Sequence, residues 1–238
     1  MASTNVSLNQ AFVLRPDMVK RIYAVLAQRV GPVAISLQCA DGIDREFDDM
    51  DQLVNYPNAR DRQIIRLRIS ARGERSGHSA ALSLSSGPSS PIDLFISASS
   101  DEFVLTLRQD LISLLRELRP WYSKIATIDL VGAVLLTALA GSAVLILGMA
   151  TGLVSVTSSE PVDSTAVTRA SAVFWAIIIL TGAAVWSLNR LRSNVFPVAV
   201  FAIGEGMHRY QTLDTARWVI VVGFMVSIVA SVVATLLL

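Results

Sequence analysis

The chain has 238 residues, a near-neutral formal charge of +1 and a mean hydropathy of +0.54. That charge excludes a generally basic nucleic-acid coat and a generally acidic chain, and that hydropathy is above what an ordinary water-exposed domain carries. Cys39 is the only cysteine, which excludes an intrachain disulfide, and Lys20 and Lys124 are the only lysines among twenty basic residues.

The first twenty residues lack a basic region followed by an apolar run, so no signal peptide is expected. After this polar lead, Pro16 stands where the first turn of a helix begins. Met18, Ile22, Val25 and Leu26 recur at helical spacing, and Gly31 closes the helix. Val33, Ile35, Leu37 and Cys39 alternate with small or polar residues, predicting a strand with Cys39 inward. Asp41-Gly42 turns it into a second strand, and a short helix follows around residues 50–54. Ile65, Leu67 and Ile69 alternate with Arg66, Arg68 and Ser70, a half-exposed strand with arginines on its open face. Two further strands are expected near residues 80–84 and 92–96. Ser99 and Glu102 form a capping-box pattern for a helix carrying Phe103, Leu107, Leu111, Leu114 and Leu118. The predicted head, residues 1–120, is thus a cytoplasmic α+β ligand-sensing domain of about five strands and two main helices.

Charge within the head is segregated. Residues 41–51 hold six acids (Asp41, Asp44, Glu46, Asp48, Asp49 and Asp51) against Arg45. Residues 60–75 hold six arginines (Arg60, Arg62, Arg66, Arg68, Arg72 and Arg75) against Asp61 and Glu74. Two readings are open. The segments neutralise each other, within one head or between copies, or the arginine strand binds an anionic ligand through its phosphates. On the second reading Arg62, Arg66, Arg68, Arg72 and Arg75 contact the ligand, and Tyr56 is the nearest aromatic able to stack on a base.

Catalysis finds no support in the pattern. His78 and His208 are the only histidines and lie in opposite halves, so neither a histidine metal cluster nor a Ser–His pair is evident. The segment around Ser76 lacks the Gly-x-Ser-x-Gly elbow, and the acids lack calcium-loop spacing. No cofactor, metal or enzymatic activity is expected.

The second half changes character. Residues 130–156 contain no charge over twenty-seven positions, which as a helix extends about 40 Å. Further apolar stretches cover 172–188 and 218–238, and Trp121 and Tyr122 precede them among Arg116, Arg119 and Lys124. The expected architecture is therefore an all-α membrane domain of three transmembrane helices over residues 121–238. Its spans fall near 128–156, 172–188 and 218–238. Arg190, Arg192, Arg209 and Arg217 place the loop 189–217 and the head in the cytoplasm. The short apolar piece 195–203 is read either as an amphipathic segment at the membrane interface or as a coupling element resting on the head. Small and hydroxylated residues repeat on the first and third spans. Asp129, Gly223, Ser227, Ser231 and Thr235 are the candidate pore-lining set, with close helix packing as the alternative.

Two functions from different classes follow: a homo-oligomeric ligand-gated channel, and a membrane-anchored scaffold whose head recruits a protein partner. The domain order resembles the channel effector of the Hailong bacterial anti-phage defence system. Domain order carries this likeness, a head ending at Pro120-Trp121-Tyr122 and then three apolar stretches, and no single motif does. Phe196-Pro197 followed by Phe201, Gly204 and Gly206 resembles a pattern of bacterial defence-type membrane proteins in general. The resemblance implies a multi-pass inner-membrane protein assembled as a homo-oligomer such as a tetramer. It also implies a crown that binds single-stranded DNA oligomers made by a partner nucleotidyltransferase. That DNA would hold a pore shut until phage nucleases remove it, leading to abortive infection. Within the head fourteen bases meet fourteen acids, so the 60–75 stretch is its source of positive field.

Overall fold

The computed structural model describes residues 2–47, 49–73, 77–87, 91–129 and 164–237, together with 132, 134 and 136. The chain divides into two units, Met1–Thr127 with Val195–Leu238, and Ile128–Asn194.

The first unit is built on strands β1 (Ala2–Leu8), β2 (Phe12–Leu14), β3 (Val33–Cys39), β4 (Asp44–Phe47), β5 (Ile64–Arg72), β6 (Ser79–Ser85) and β7 (Ile92–Ala98). Helices α1 (Pro16–Arg29), α2 (Met50–Val54), α3 (Asp101–Glu117) and α4 (Ser123–Thr127) join them. Six strands form one antiparallel sheet in the order β1-β7-β6-β5-β3-β4. The head therefore has one more strand in this sheet than expected. β1 pairs with β7 from Ala2 opposite Ala98 to Leu8 opposite Ile92. Its inward side chains are only half-buried and its outward ones are Ser3, Asn5 and Ser7, so an edge strand resembles a polar lead.

The inward phase of the sheet is apolar. Ile35 and Leu37, Leu67 and Ile69, Leu82 and Leu84, and Leu94 and Ile96 are all buried, and α1 and α3 cover them. Each such side chain contributes about 1.5–3 kcal/mol relative to exposure. α1 begins with Pro16 at its first turn and carries Asp17 and Arg29 at the ends that suit the helix dipole. It stops at Gly31, whose φ of +140° suits glycine alone and where a Cβ would lie 3.2 Å from the Arg72 carbonyl. α3 has Asp101 and Glu102 in its first turn, but Ser100 is its N-cap and no side-chain cap bond forms. The expected capping box from Ser99 is not made, because the helix begins one residue later with Ser100 at its cap; the Ser99 hydroxyl lies 3.3 Å from His78 Nε2.

The expected three-helix membrane domain is not found, since among the described residues no helix is long and apolar enough to cross a membrane. The described helices also ignore the expected boundaries. α5 (Ser164–Val195) continues through Asn189, Arg190 and Arg192, and α6 (Glu205–Leu237) starts well before Trp218 and carries Arg209, Asp214 and Arg217. Polar helical turns thus occupy what was read as a connecting loop. Of the first expected span, only residues 128, 129, 132, 134 and 136 are described. The assignments as a membrane protein with transmembrane helices, as an ion channel and as a multi-pass inner-membrane protein are corrected accordingly.

Residues 195–206 form a strap packed on the head. β8 (Ala199–Phe201) pairs parallel with β2, with Phe12 opposite Ala199 and Leu14 opposite Phe201. Phe201 meets Phe12 edge to face at 5.5 Å, and Phe201 and Ile203 are buried in the head core. Asn58, 1% exposed, fastens this strap. Its Nδ2 donates to the carbonyls of Phe201 (2.9 Å) and Ile203 (3.2 Å), and its Oδ1 accepts from the Ile64 amide (3.0 Å). The Asn58 carbonyl in turn accepts from Arg209 of α6 at 2.7 Å.

Candidate ligand-binding face

The site is the face of the sheet that α1 and α3 leave open. From Arg66 onward β5 alternates: Leu67, Ile69 and Ala71 are buried, while Arg66, Arg68 and Arg72 are exposed. Strand register fixes their neighbours. Arg68 stands between Ser83 of β6 and Ser36 of β3, and beyond Ser36 lies Glu46 of β4. Arg66 stands between Ser85 and Gln38, with Asp44 beyond Gln38. Arg72 stands opposite Ser79. The arginines therefore rise from a floor of small side chains near the middle of the sheet.

None of Arg66, Arg68 and Arg72 makes an ion pair or a side-chain hydrogen bond among the described residues. Among the described residues, the acids of 41–51 do not neutralise them as ion pairs either. Asp41 is held by Arg45 at 2.6 Å, and that guanidinium lowers its carboxyl to about 2. Asp51 meets Lys20 at 3.5 Å. Asp44 and Glu46 line an open concavity of about 250 Å³ with Arg66 and Arg68, without ion-pair contact among the described residues.

A second open concavity, about 350 Å³, is lined by Arg68, Ser70, Arg72, Ser79, Ala81 and Phe95. Phe95 is 45% exposed and stands opposite Ala81, on whose other side lies Ser70. Sequence reasoning missed Phe95. The signal was present, since Ile92, Leu94 and Ile96 claim the inward phase of β7 and leave a large aromatic pointing outward.

The other predicted ligand residues are placed differently. Tyr56 is buried: its hydroxyl donates to the Arg62 carbonyl at 3.1 Å and lies 3.4 Å from Cys39 Sγ, and burial pushes its phenol up to about 12. It offers no ring to a ligand on this face. Arg62 sits on the short 3-10 turn Arg60–Arg62 before β5, its Nε 3.4 Å from Asp61. Arg75 lies outside the described residues.

The candidate pore-lining residues lie in separate parts of the chain, Asp129 in the second unit and the other four on α6. Asp129 caps its own segment, accepting from the Gly132 amide at 3.0 Å. Ser227 donates to the Gly223 carbonyl one turn earlier at 2.8 Å, so its hydroxyl serves its own helix. Gly223 and Ser231 are exposed on α6, and the side chain of Thr235 lies outside the described residues. One Ser–His pair that the sequence reading did not see does exist: His78 stacks on Phe103 at 4.2 Å beside Ser99, at the start of α3.

Chemically, three guanidiniums with free donors suit phosphate or carboxylate oxygens, which they bind bidentately. An exposed phenyl ring beside them offers a stacking surface for a planar base. No family model, curated protein or solved structure matches this chain.

Proposed function

We propose that the head is a binding module for a phosphate-bearing ligand of the nucleotide class, either a nucleotide or a short single-stranded DNA. Arg66, Arg68 and Arg72 receive phosphates, and Phe95 stacks on a base. The observation that carries this reading is the shared concavity of Arg68, Arg72 and Phe95, in which neither guanidinium has an ion partner among the described residues. A surface kept only for folding gains little from holding cations in a row without counterions, whereas a phosphate site requires such cations. Serine neighbours at positions 70, 79 and 83 leave room for a backbone to approach and supply further hydroxyl donors.

The test is fluorescence anisotropy of a short labelled oligothymidylate with the full-length chain at low salt. Arg68→Ala with Arg72→Ala weakens binding by about 100-fold, taking about 1.5 kcal/mol for each charged hydrogen-bonding group. Phe95→Ala weakens it by about 10-fold, from about 1–3 kcal/mol of base stacking. Unchanged affinity in the double variant refutes the assignment.

A further inference from the structure

The acidic edge of the same face carries a separate inference. Arg68 and Glu46 share one register row with Ser36 between them, and Arg66 and Asp44 share a second row with Gln38 between them. Adjacent strands lie about 4.8 Å apart, so each acid stands about 10 Å from its arginine, with β3 midway. Positive charge lies on one side of β3 and negative charge on the other, at matching heights. Such a surface is complementary to itself under one rotation only. A two-fold axis running along β3, parallel to the sheet, sets β5 of one copy over β4 of the other. An axis across the strands would set arginines over arginines, which costs rather than stabilises.

We infer that the β4–β3–β5 side of the open face pairs with a second copy of this chain about a two-fold axis along β3. Arg68 of each copy then meets Glu46 of its partner copy, and Arg66 meets Asp44. At the axis lie Ala34, Ser36 and Gln38, two of them small, so two sheets can close to the usual separation of about 10 Å. Aligned sheets cross at about 30°, an offset that the reach of an arginine side chain absorbs. The overlap covers three strands, about 14 Å wide and about 23 Å long, which belongs to the small, weak class of interface. The dimer is accordingly weak and falls apart as salt is raised. This pairing does not rest on the ligand reading, although both use Arg66 and Arg68.

Two charge-reversed forms of the full-length chain test it by sedimentation velocity at low salt. One carries Arg66→Glu with Arg68→Glu, so all four charges of the two register rows are acidic; the other carries Asp44→Arg with Glu46→Arg, so all four are basic. Each alone self-associates about tenfold or more weaker than the wild type, because four ion pairs become four repulsions. Mixed in equal amounts, the two form a one-to-one heterodimer at least as tight as the wild-type dimer. That mixture also shows that both variants are folded. A second probe places a thiol on the axis: Ser36→Cys links to its counterpart through a short bis-maleimide, because Cys39 is buried. The inference is overturned by a monomeric wild type, by either variant associating as the wild type does, by a mixture without heterodimer, or by absence of the Ser36→Cys crosslink.

Discussion

Asn58→Ala is expected to cost the head about 4–6 kcal/mol. The side chain is 1% exposed and makes three hydrogen bonds, to the carbonyls of Phe201 and Ile203 and from the amide of Ile64. Each net bond contributes about 1 kcal/mol, and leaving a buried partner unsatisfied adds about 1 kcal/mol or more. The backbone adds its own share. Asn58 has φ of +48°, the one positive value among described non-glycine residues, and alanine tolerates that conformation about 1 kcal/mol less well than asparagine. Asn58→Gly separates the two contributions, since it loses the same bonds while relieving the backbone. The assay is urea unfolding with hydrogen exchange at the Ile64 amide, where protection falls in both variants. A loss below about 1 kcal/mol with Ile64 still protected would refute the strap as a structural fastening.

Gly204→Ala, at φ +52°, drives a Cβ into the Tyr56 and Pro57 carbonyls. The strap then lifts, and limited proteolysis cuts within residues 195–206; equal resistance to the wild type contradicts the packing. Burial pushes the Tyr122 phenol from 10.0 to about 12, against the pull of the Arg217 guanidinium 4.3 Å from its ring centre. A raised folded value means that stability is fully present below 10.0 and is lost as pH rises towards about 12. Ultraviolet phenolate titration of wild type against Tyr122→Phe locates this step, and a midpoint near 10.0 contradicts it. Because DNA and a second copy draw on Arg66 and Arg68, saturating oligothymidylate shifts the sedimenting species from dimer to monomer. An unchanged dimer fraction means that the two events do not share those residues.

Much of the head was legible from the alternation of its strands. β3 and β5 to β7 alternate buried Ile, Leu, Ala or Cys with outward residues such as Ser36, Gln38, Arg66, Arg68, Ser83 and Asp93, and a period of two marks both a strand and its faces. That same phase exposes Arg66, Arg68 and Arg72, so of the four residues in the candidate site all but Phe95 were readable. β1 escaped because an edge strand with serine and asparagine outward differs little in composition from a loop. Tyr56 misled because it stands between a short helix and a turn, where no period says which way a side chain points. The Asn58 fastening joins residues 143 and 145 positions apart, and nothing local announces such a partner. Apolar run length, the basis of the membrane assignment, counts residues without locating helix ends. α6 begins at Glu205 and carries the charged turns of the expected loop.

The most direct measurement is the salt dependence of oligothymidylate binding to the full-length chain. Three arginines that each neutralise one phosphate predict a slope of log affinity against log salt of about −2, at about −0.7 per contact on single strands. Arg68→Ala with Arg72→Ala brings that slope to about −0.7. A wild-type slope near zero, or one that the double variant leaves unchanged, contradicts a phosphate-binding face on β5.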